Sequence, residues 1–294
     1  MKSQTRLFVG IATRGRSTIL AETITFLATQ ERQPDQVLVA YAEPADVGDA
    51  PDRFPNVTFV QAPLGLTRQR NAILTLALDS DLLLFMDDDF YLDPHYLTIA
   101  EHFFMQNPDV VASTGRVLAD DVKGPGLTVA QAKAIIAGSN GAECEQQINR
   151  IFFAYGCNMC LRLAPIRKNN LRFDETLPLY GWYEDWDFSR QLAVFGAVVH
   201  ISNACGVHLS TKVGRITGVR MGYAQVANPI YLARKGTFPW SHVFKFIVGP
   251  CLKNLVRSLA PEAHVDRLGR FCGNLAAFRD LLAGTLSPTQ IVDL

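Results

Sequence analysis

The alternation of short apolar runs with helically spaced segments is what most limits how this chain can fold. Leu7-Phe8-Val9-Gly10-Ile11-Ala12 reads as a buried strand, and Thr13-Arg14-Gly15-Arg16 breaks it. Thr18 to Gln30 then carries Ile19/Leu20, Ile24 and Leu27 on one helical face. Further strands are expected at 37–40, 57–60, 82–86 and 110–114. Helices are expected over Thr67 to Leu78 and over Pro94 to Gln106, the second opened by Asp93 as N-cap with proline at the first position. Strands alternating with helices predict an α/β domain around a mostly parallel, Rossmann-like sheet. Right-handed crossovers would gather its loops at the carboxyl edge, where ligands bind.

The pattern loosens after residue 118. Ala119 to Gly126 reads as a loop, Thr128 to Ala137 as a helix and Gly138 to Gly141 as a turn. Beyond 211 the spacing becomes helical and basic. Residues 1–210 carry 17 Lys and Arg against 24 Asp and Glu, whereas residues 211–280 carry 11 against three. The expected organisation is therefore a catalytic α/β domain over 1–210 and a basic, mostly helical extension over 211–294. The overall formal charge is zero, which argues against a nucleic-acid binder. Six cysteines at irregular spacing are too few for a disulfide framework, and Cys157-Asn-Met-Cys160 lacks the second pair a zinc site would want. Neither a secretory leader nor an apolar stretch of about 18 residues stands out. A reducing cytoplasm is the expected compartment.

Asp87-Asp88-Asp89 closes the fourth strand. Three successive carboxylates repel one another, and a divalent cation is the simplest compensation because carboxylate oxygens are hard ligands for Mg²⁺ or Mn²⁺. In extended backbone the side chains of 87 and 89 share a side and that of 88 opposes them. Asp87 and Asp89 are thus the expected ligand pair, and such a metal usually completes its shell with phosphate oxygens. A solvated acidic turn is the competing reading of the triplet alone.

With its surroundings, the triplet resembles glycosyltransferase family 2 enzymes of the GT-A fold. Phe85-Met86-Asp87-Asp88-Asp89-Phe90-Tyr91-Leu92-Asp93-Pro94 is similar to their strand–DxD–helix element. Val9 to Arg16 is similar to their first strand and nucleotide-contacting loop, and Leu64 to Ala72 to their Gly…Ala-Arg-Asn segment. Gly156 to Met159, Gly181 to Phe188 with its Glu184-Asp185 pair, and His208 complete the ordered set over about 5–235. The resemblance implies metal-assisted, inverting transfer of a sugar from a nucleotide-sugar to a hydroxyl of a glycan or lipid-linked acceptor, in cell-surface polysaccharide synthesis. It implies Asp185 as general base with Glu184 beside it, and His208 as a further metal ligand. It places Thr13, Arg14, Arg16, Arg70, Asn71 and Asp88 around the nucleotide, and Trp182 and Tyr183 as a platform for a sugar or as loop anchors. The family's Asp-Asp after the second strand is replaced here by Tyr41-Ala42, with Glu43 next in line either to read the base or to stand as a surface acid. A nucleotidyltransferase and a non-catalytic sugar-binding scaffold are the alternatives; the poor phosphate loop at Thr13–Arg16 disfavours the first and the intact carboxylates the second.

In the tail, Lys245, Gly249, Lys253 and Arg257 recur every four residues, with Phe244, Ile247/Val248, Cys251, Leu255 and Leu259 on another side. Pro250 should kink or interrupt this helix. Such a stripe either packs on the catalytic body or lies on an anionic membrane surface, which would place the protein at the inner face of the cell membrane.

Overall fold

A computed structural model describes residues 5–139, 145–214 and 216–294. Cys144 and the second half of the turn expected over Gly138 to Gly141 lie outside them. The expected alternation is present: β1 (Leu7–Ala12), α1 (Ser17–Leu27), β2 (Gln36–Tyr41), α2 (Ala50–Arg53), β3 (Val57–Gln61), α3 (Leu66–Leu76) and β4 (Leu82–Asp87). These strands are parallel in the order β3-β2-β1-β4. Apolar side chains alternate onto two faces of this sheet. Val9, Ile11, Leu84 and Met86 meet α1 on one side, and Phe8, Leu38, Leu83 and Phe85 meet Ile73 and Leu74 of α3 on the other. Because both faces are covered, these strands read as nearly continuous hydrophobic runs.

Past β4 the sheet changes character. A short strand β5 (Phe90–Leu92), helix α4 (Tyr96–Gln106) and long strand β6 (Val110–Asp120) follow, then α5 (Val129–Ala137), β7 (Ile148–Arg150), β8 (Asn158–Arg162), α6 (Leu163–Asn169), α7 (Glu184–Leu192) and β9 (Ala197–His208). Strand β8 inserts antiparallel between β4 and β6, β9 runs parallel to β6, and β5 and β7 pair antiparallel with β9. Helix α4 starts two residues later than expected. Asp93 does not cap it directly: its backbone N–H is committed to Cys205 O on β9 and its side chain accepts from His95 N, so the cap falls at His95. The loop expected from Ala119 begins one pair later, because Ala119 and Asp120 still pair with Val207 and His208. The thiols of Cys157, Cys160 and Cys205 are buried and unbridged.

The chain ends in three helices, α8 (Gly218–Lys235), α9 (Trp240–Arg257) and α10 (Arg267–Leu282). Gly222 and Gly273 let α8 and α10 nearly touch: a Cβ at 222 would lie 1.9 Å from Arg270 O, and one at 273 would lie 2.0 Å from Val219 O. Asn254 of α9 donates to both Gln225 and Asn274 in the buried seam, and Arg267 reaches Asn254 from its pair with Glu262. The helices share a core with the α/β body through Leu177 and Trp186. Helix α9 runs through Pro250 without interruption, since proline removes only one helical hydrogen bond while the bundle holds the rest. Its apolar side chains divide differently from the expectation. Val243 and Ile247 are buried, but Phe244, Leu255 and Leu259 are exposed. Among the described residues no helix is long and apolar enough to cross a membrane.

Candidate active site

The register of β1 with β4 sets Ala12 beside Asp87, so the Thr13–Arg16 loop and the acid triplet emerge together at the carboxyl edge. Asp88 turns under that loop. It accepts from Thr13 Oγ1 and Arg16 Nη1, both at 2.7 Å, and its backbone carbonyl accepts from Thr23 Oγ1. Burial raises its carboxyl to about 7, against the pull of Arg16. Asp87 and Asp89 face the other way, as the strand alternation requires. Among the described residues they form, with His208, a cluster whose ligand atoms all lie within 4.8 Å of one another.

His208 reaches the triplet because β9 pairs with both β5 and β6, opposite Phe90 on one side and Asp120 on the other. Its Nε2 lies 3.2 Å from Asp89 Oδ1 and 3.6 Å from Asp87 Oδ2, and its Nδ1 lies 3.3 Å from Asp120 Oδ2. Burial disfavours the imidazolium, but hydrogen bonds to Asp120 and Asp89 and the nearby negative charges lift its pKa to about 10. Burial likewise opposes ionisation of Asp89, yet His208, Arg16 and the Thr211 N–H hold it well below the usual carboxylate range. Asp120 was not singled out from the sequence. It supplies the carboxylate that fixes the imidazole with Nε2 toward the acids, the arrangement that orients a ligating histidine.

These residues fit a divalent cation. Two carboxylates and an imidazole suit Mn²⁺ or Mg²⁺, and their ligand atoms already converge within 4.8 Å of one another.

Beside this cluster lies a cleft of about 590 Å³, open mouth included, lined by Thr13, Arg14, Arg16, Asp87 and Asp88 and closed by Gly65, Gln69, Leu179, Tyr180 and Ile216. Gln69 braces the floor by donating to Thr13 O and Ala40 O. Arg16 is pinned across the mouth, with Nε on Val213 O and Nη1 3.4 Å from Asp89 Oδ2. Three other expected nucleotide contacts do not line this cleft. Asn71 faces the opposite side of α3, bonded to Phe173 and Glu175. Glu43 is exposed at the head of a single 3-10 turn (Pro44–Asp46), where Asp46 accepts from Gly15, Ala42 and Glu43 N–H groups. Arg70 lies beneath the cleft.

Arg70 is instead a buried link. Its Nη1 donates to Glu184 Oε1 at 2.7 Å, its Nη2 donates to Gly156 O at 2.9 Å, and Nη2 lies 3.6 Å from Asp87 Oδ1. One guanidinium therefore spans the metal-side strand and the start of α7. Burial raises Glu184 to about 8 despite Arg70, and its unpartnered Oε2 is where the extra proton would sit. Asp185 follows, partly exposed, with Oδ2 accepting from Gly156 N and Oδ1 from Trp186 N. Its pKa is also raised by burial. The turn delivering these acids places Leu179, Gly181 and Tyr183 at positive φ. For Leu179 and Tyr183 that backbone is strained, and the turn is tied to α3 through Leu66 N to Leu179 O and Thr67 Oγ1 to Leu177 O. Tyr183 is half-buried among Trp186, Phe238 and Phe246, and Trp182 stacks beside Tyr180. The aromatic side chain that lines the cleft is Tyr180.

No protein-family model and no curated protein sequence matches the chain. Solved structures do match its shape. Residues 1–349 of S. aureus TarS superpose with a TM-score of 0.55 at 15% identity, covering 95% of this chain and 92% of that one. TarS 1–349 in complex with UDP-GlcNAc gives 0.54 at 14% identity over 94% and 81%. The mannosyltransferase PcManGT from Pyrobaculum calidifontis, in complex with GDP-Man and Mn²⁺, gives 0.56 at 13% identity over 99% and 86%. The chain thus has the α/β architecture of these structures, a mostly parallel central sheet flanked by helices. More narrowly, its fold is the GT-A fold that these glycosyltransferases share.

Proposed function

We propose that the protein is a metal-dependent, inverting glycosyltransferase that moves a sugar from a nucleotide-sugar to a hydroxyl of a glycan or lipid-linked acceptor. One observation carries the reading: Arg70 joins the Asp87/Asp89/His208 cluster to the Glu184-Asp185 turn, with the cleft bordered by Thr13, Arg14 and Arg16 alongside. The two neighbours' complexes with UDP-GlcNAc and with GDP-Man and Mn²⁺ support the same class of donor.

Asp87, Asp89 and His208 would hold the cation, which offsets the negative charge developing on the departing diphosphate. Thr13, Arg14 and Arg16 border the cleft where the nucleotide would lie, and Arg16 adds a fixed cation at its mouth. The acceptor oxygen attacks the anomeric carbon as the bond to the diphosphate oxygen breaks. Asp185 receives the hydroxyl proton, and its burial-raised pKa makes it a better base than an ordinary surface aspartate. Glu184, held by Arg70, fixes the first turn of α7 and so the position of Asp185.

The test supplies UDP- and GDP-sugars with Mn²⁺ and measures nucleoside diphosphate release. Asp185→Asn should lower turnover about 10²–10⁴-fold while leaving donor-induced thermal stabilisation in place. Release of pyrophosphate would instead mark a nucleotidyltransferase, and donor binding without turnover would mark a scaffold.

A further inference from the structure

Helix α9 is gripped on one side and bare on the other. Val243, Ile247 and Asn254 are buried against α8 and α10, and Phe246 packs edge-on to Trp186. At 100° per residue, Phe244, Val248, Leu252, Leu255 and Val256 fall within an arc of about 120° pointing the other way. Phe244 is 75% exposed, and the stripe continues past the helix end to Leu259 at 91%. Trp240, at the helix start, is 59% exposed. A patch this apolar on a water-facing helix marks a contact surface.

Its charge indicates what it contacts. Lys245 lies within the arc and Lys253 and Arg257 line one margin, all three exposed. None forms an ion pair among the described residues. From Thr211 to Pro261 the sequence holds eight Lys and Arg and no Asp or Glu. Burial and the neighbouring cations Arg267, Lys123 and Arg257 lower the pKa of Lys253 against the pull of Glu262; that acid is paired with Arg267, so cations outnumber acids along this margin. A second copy docked with its α9 antiparallel to this one would set these cations against their own kind. An anionic sheet of lipid headgroups complements them, accepts the apolar stripe beneath the headgroups and suits an interfacial tryptophan.

We propose that the outward face of α9 docks the protein on an anionic lipid bilayer, with the helix lying in the interface and Lys245, Lys253 and Arg257 reaching headgroup phosphates. The helix is already folded and braced, so docking orders no new segment.

The test is co-sedimentation of the full chain with vesicles of phosphatidylcholine alone or mixed with phosphatidylglycerol. The mixed vesicles should bind far better, and the difference should shrink as salt rises. Replacing both cations (Lys253→Gln with Arg257→Gln) should weaken binding to mixed vesicles about 25-fold, at about fivefold per cation near such a surface. Phe244→Asp should abolish binding with an unchanged melting temperature, and Leu259→Asp, beyond the helix, should repeat the loss should Phe244→Asp misfold. A parent protein that stays in the supernatant with both vesicles overturns the proposal. So does equal binding to both, or a dimer in light scattering that Phe244→Asp turns into monomer. No donor, metal or acceptor enters this experiment, so its outcome is independent of the glycosyltransferase reading.

Discussion

Replacing Arg70 by methionine tests the link between the two halves of the site. Methionine keeps much of the aliphatic stem between Phe85 and Phe173, whose rings lie 5.5 and 5.6 Å from the guanidinium carbon. It removes the donors to Glu184 Oε1 and Gly156 O. Glu184, raised to about 8, is largely protonated at neutral pH, so the change removes hydrogen bonds from a charged donor, at about 1.5–3 kcal/mol each, rather than a full charge pair. A loss of about 3 kcal/mol should lower the melting temperature by about 6–10 °C. Glu184→Gln alone should cost less, since glutamine can still accept from Arg70. Combining the two changes should recover about 2 kcal/mol of the summed loss, a coupling of the size seen for residues in one network. The assay is urea or thermal unfolding of the four proteins in a double-mutant cycle. Additivity within about 0.5 kcal/mol would refute the claim that this pair ties α7 to β4.

Three further outcomes follow from the structure. Asp89→Asn should abolish Mn²⁺ binding measured by calorimetry, and Asp120→Asn should weaken it about 10–100-fold through the freed His208 ring; unchanged affinity in both would move the metal elsewhere. Burial alone would raise Asp174 and lower Lys235, but their mutual contact at 2.7 Å depresses the acid and, with Asp187, elevates the base. The acid's contribution is therefore present above its unfolded pKa of about 4 and lost as pH falls through its lower folded value; the lysine's is present below about 10.4 and lost as pH climbs through its higher folded value. Lys235→Met should accordingly lower the melting temperature at neutral pH by an amount that shrinks below about pH 4, and a gap constant with pH would contradict this. Gly273→Ala should cost about 1–3 kcal/mol by forcing α8 from α10, and a melting temperature within 1–2 °C of the parent would show that the helices can part freely.

Much of the fold was legible because its determinants are local. Period-two and period-3.6 spacing act within a few residues, and Asp87-Asp88-Asp89 sits at a strand end whose alternation separates 88 from 87 and 89. Those signals located β1 to β4, α1, α3 and the acid triplet at the end of β4. The pairing of Glu184 with Asp185 was equally visible, as was the basic cast of the last third. Asp120 gave no such signal. It lies in a stretch read as loop, and only the β6–β9 register, across 88 positions of chain, brings it opposite His208.

Arg70, Asn71 and Phe244 show the same divide at the level of single side chains. Successive residues on one helix are turned about 100° apart, so Arg70 points into the protein and Asn71 out of it, though the sequence treats them as one motif. Helical spacing identified two sides of α9, but which side the bundle covers is set by Asn254, Val243 and Ile247 meeting α8 and α10. The chain's own order thus determined its elements, its α/β class and the chemistry at the strand ends. Tertiary packing decided which charges meet and which apolar face stays bare, because those outcomes depend on contacts among segments far apart in sequence, where local conformational preference has no influence.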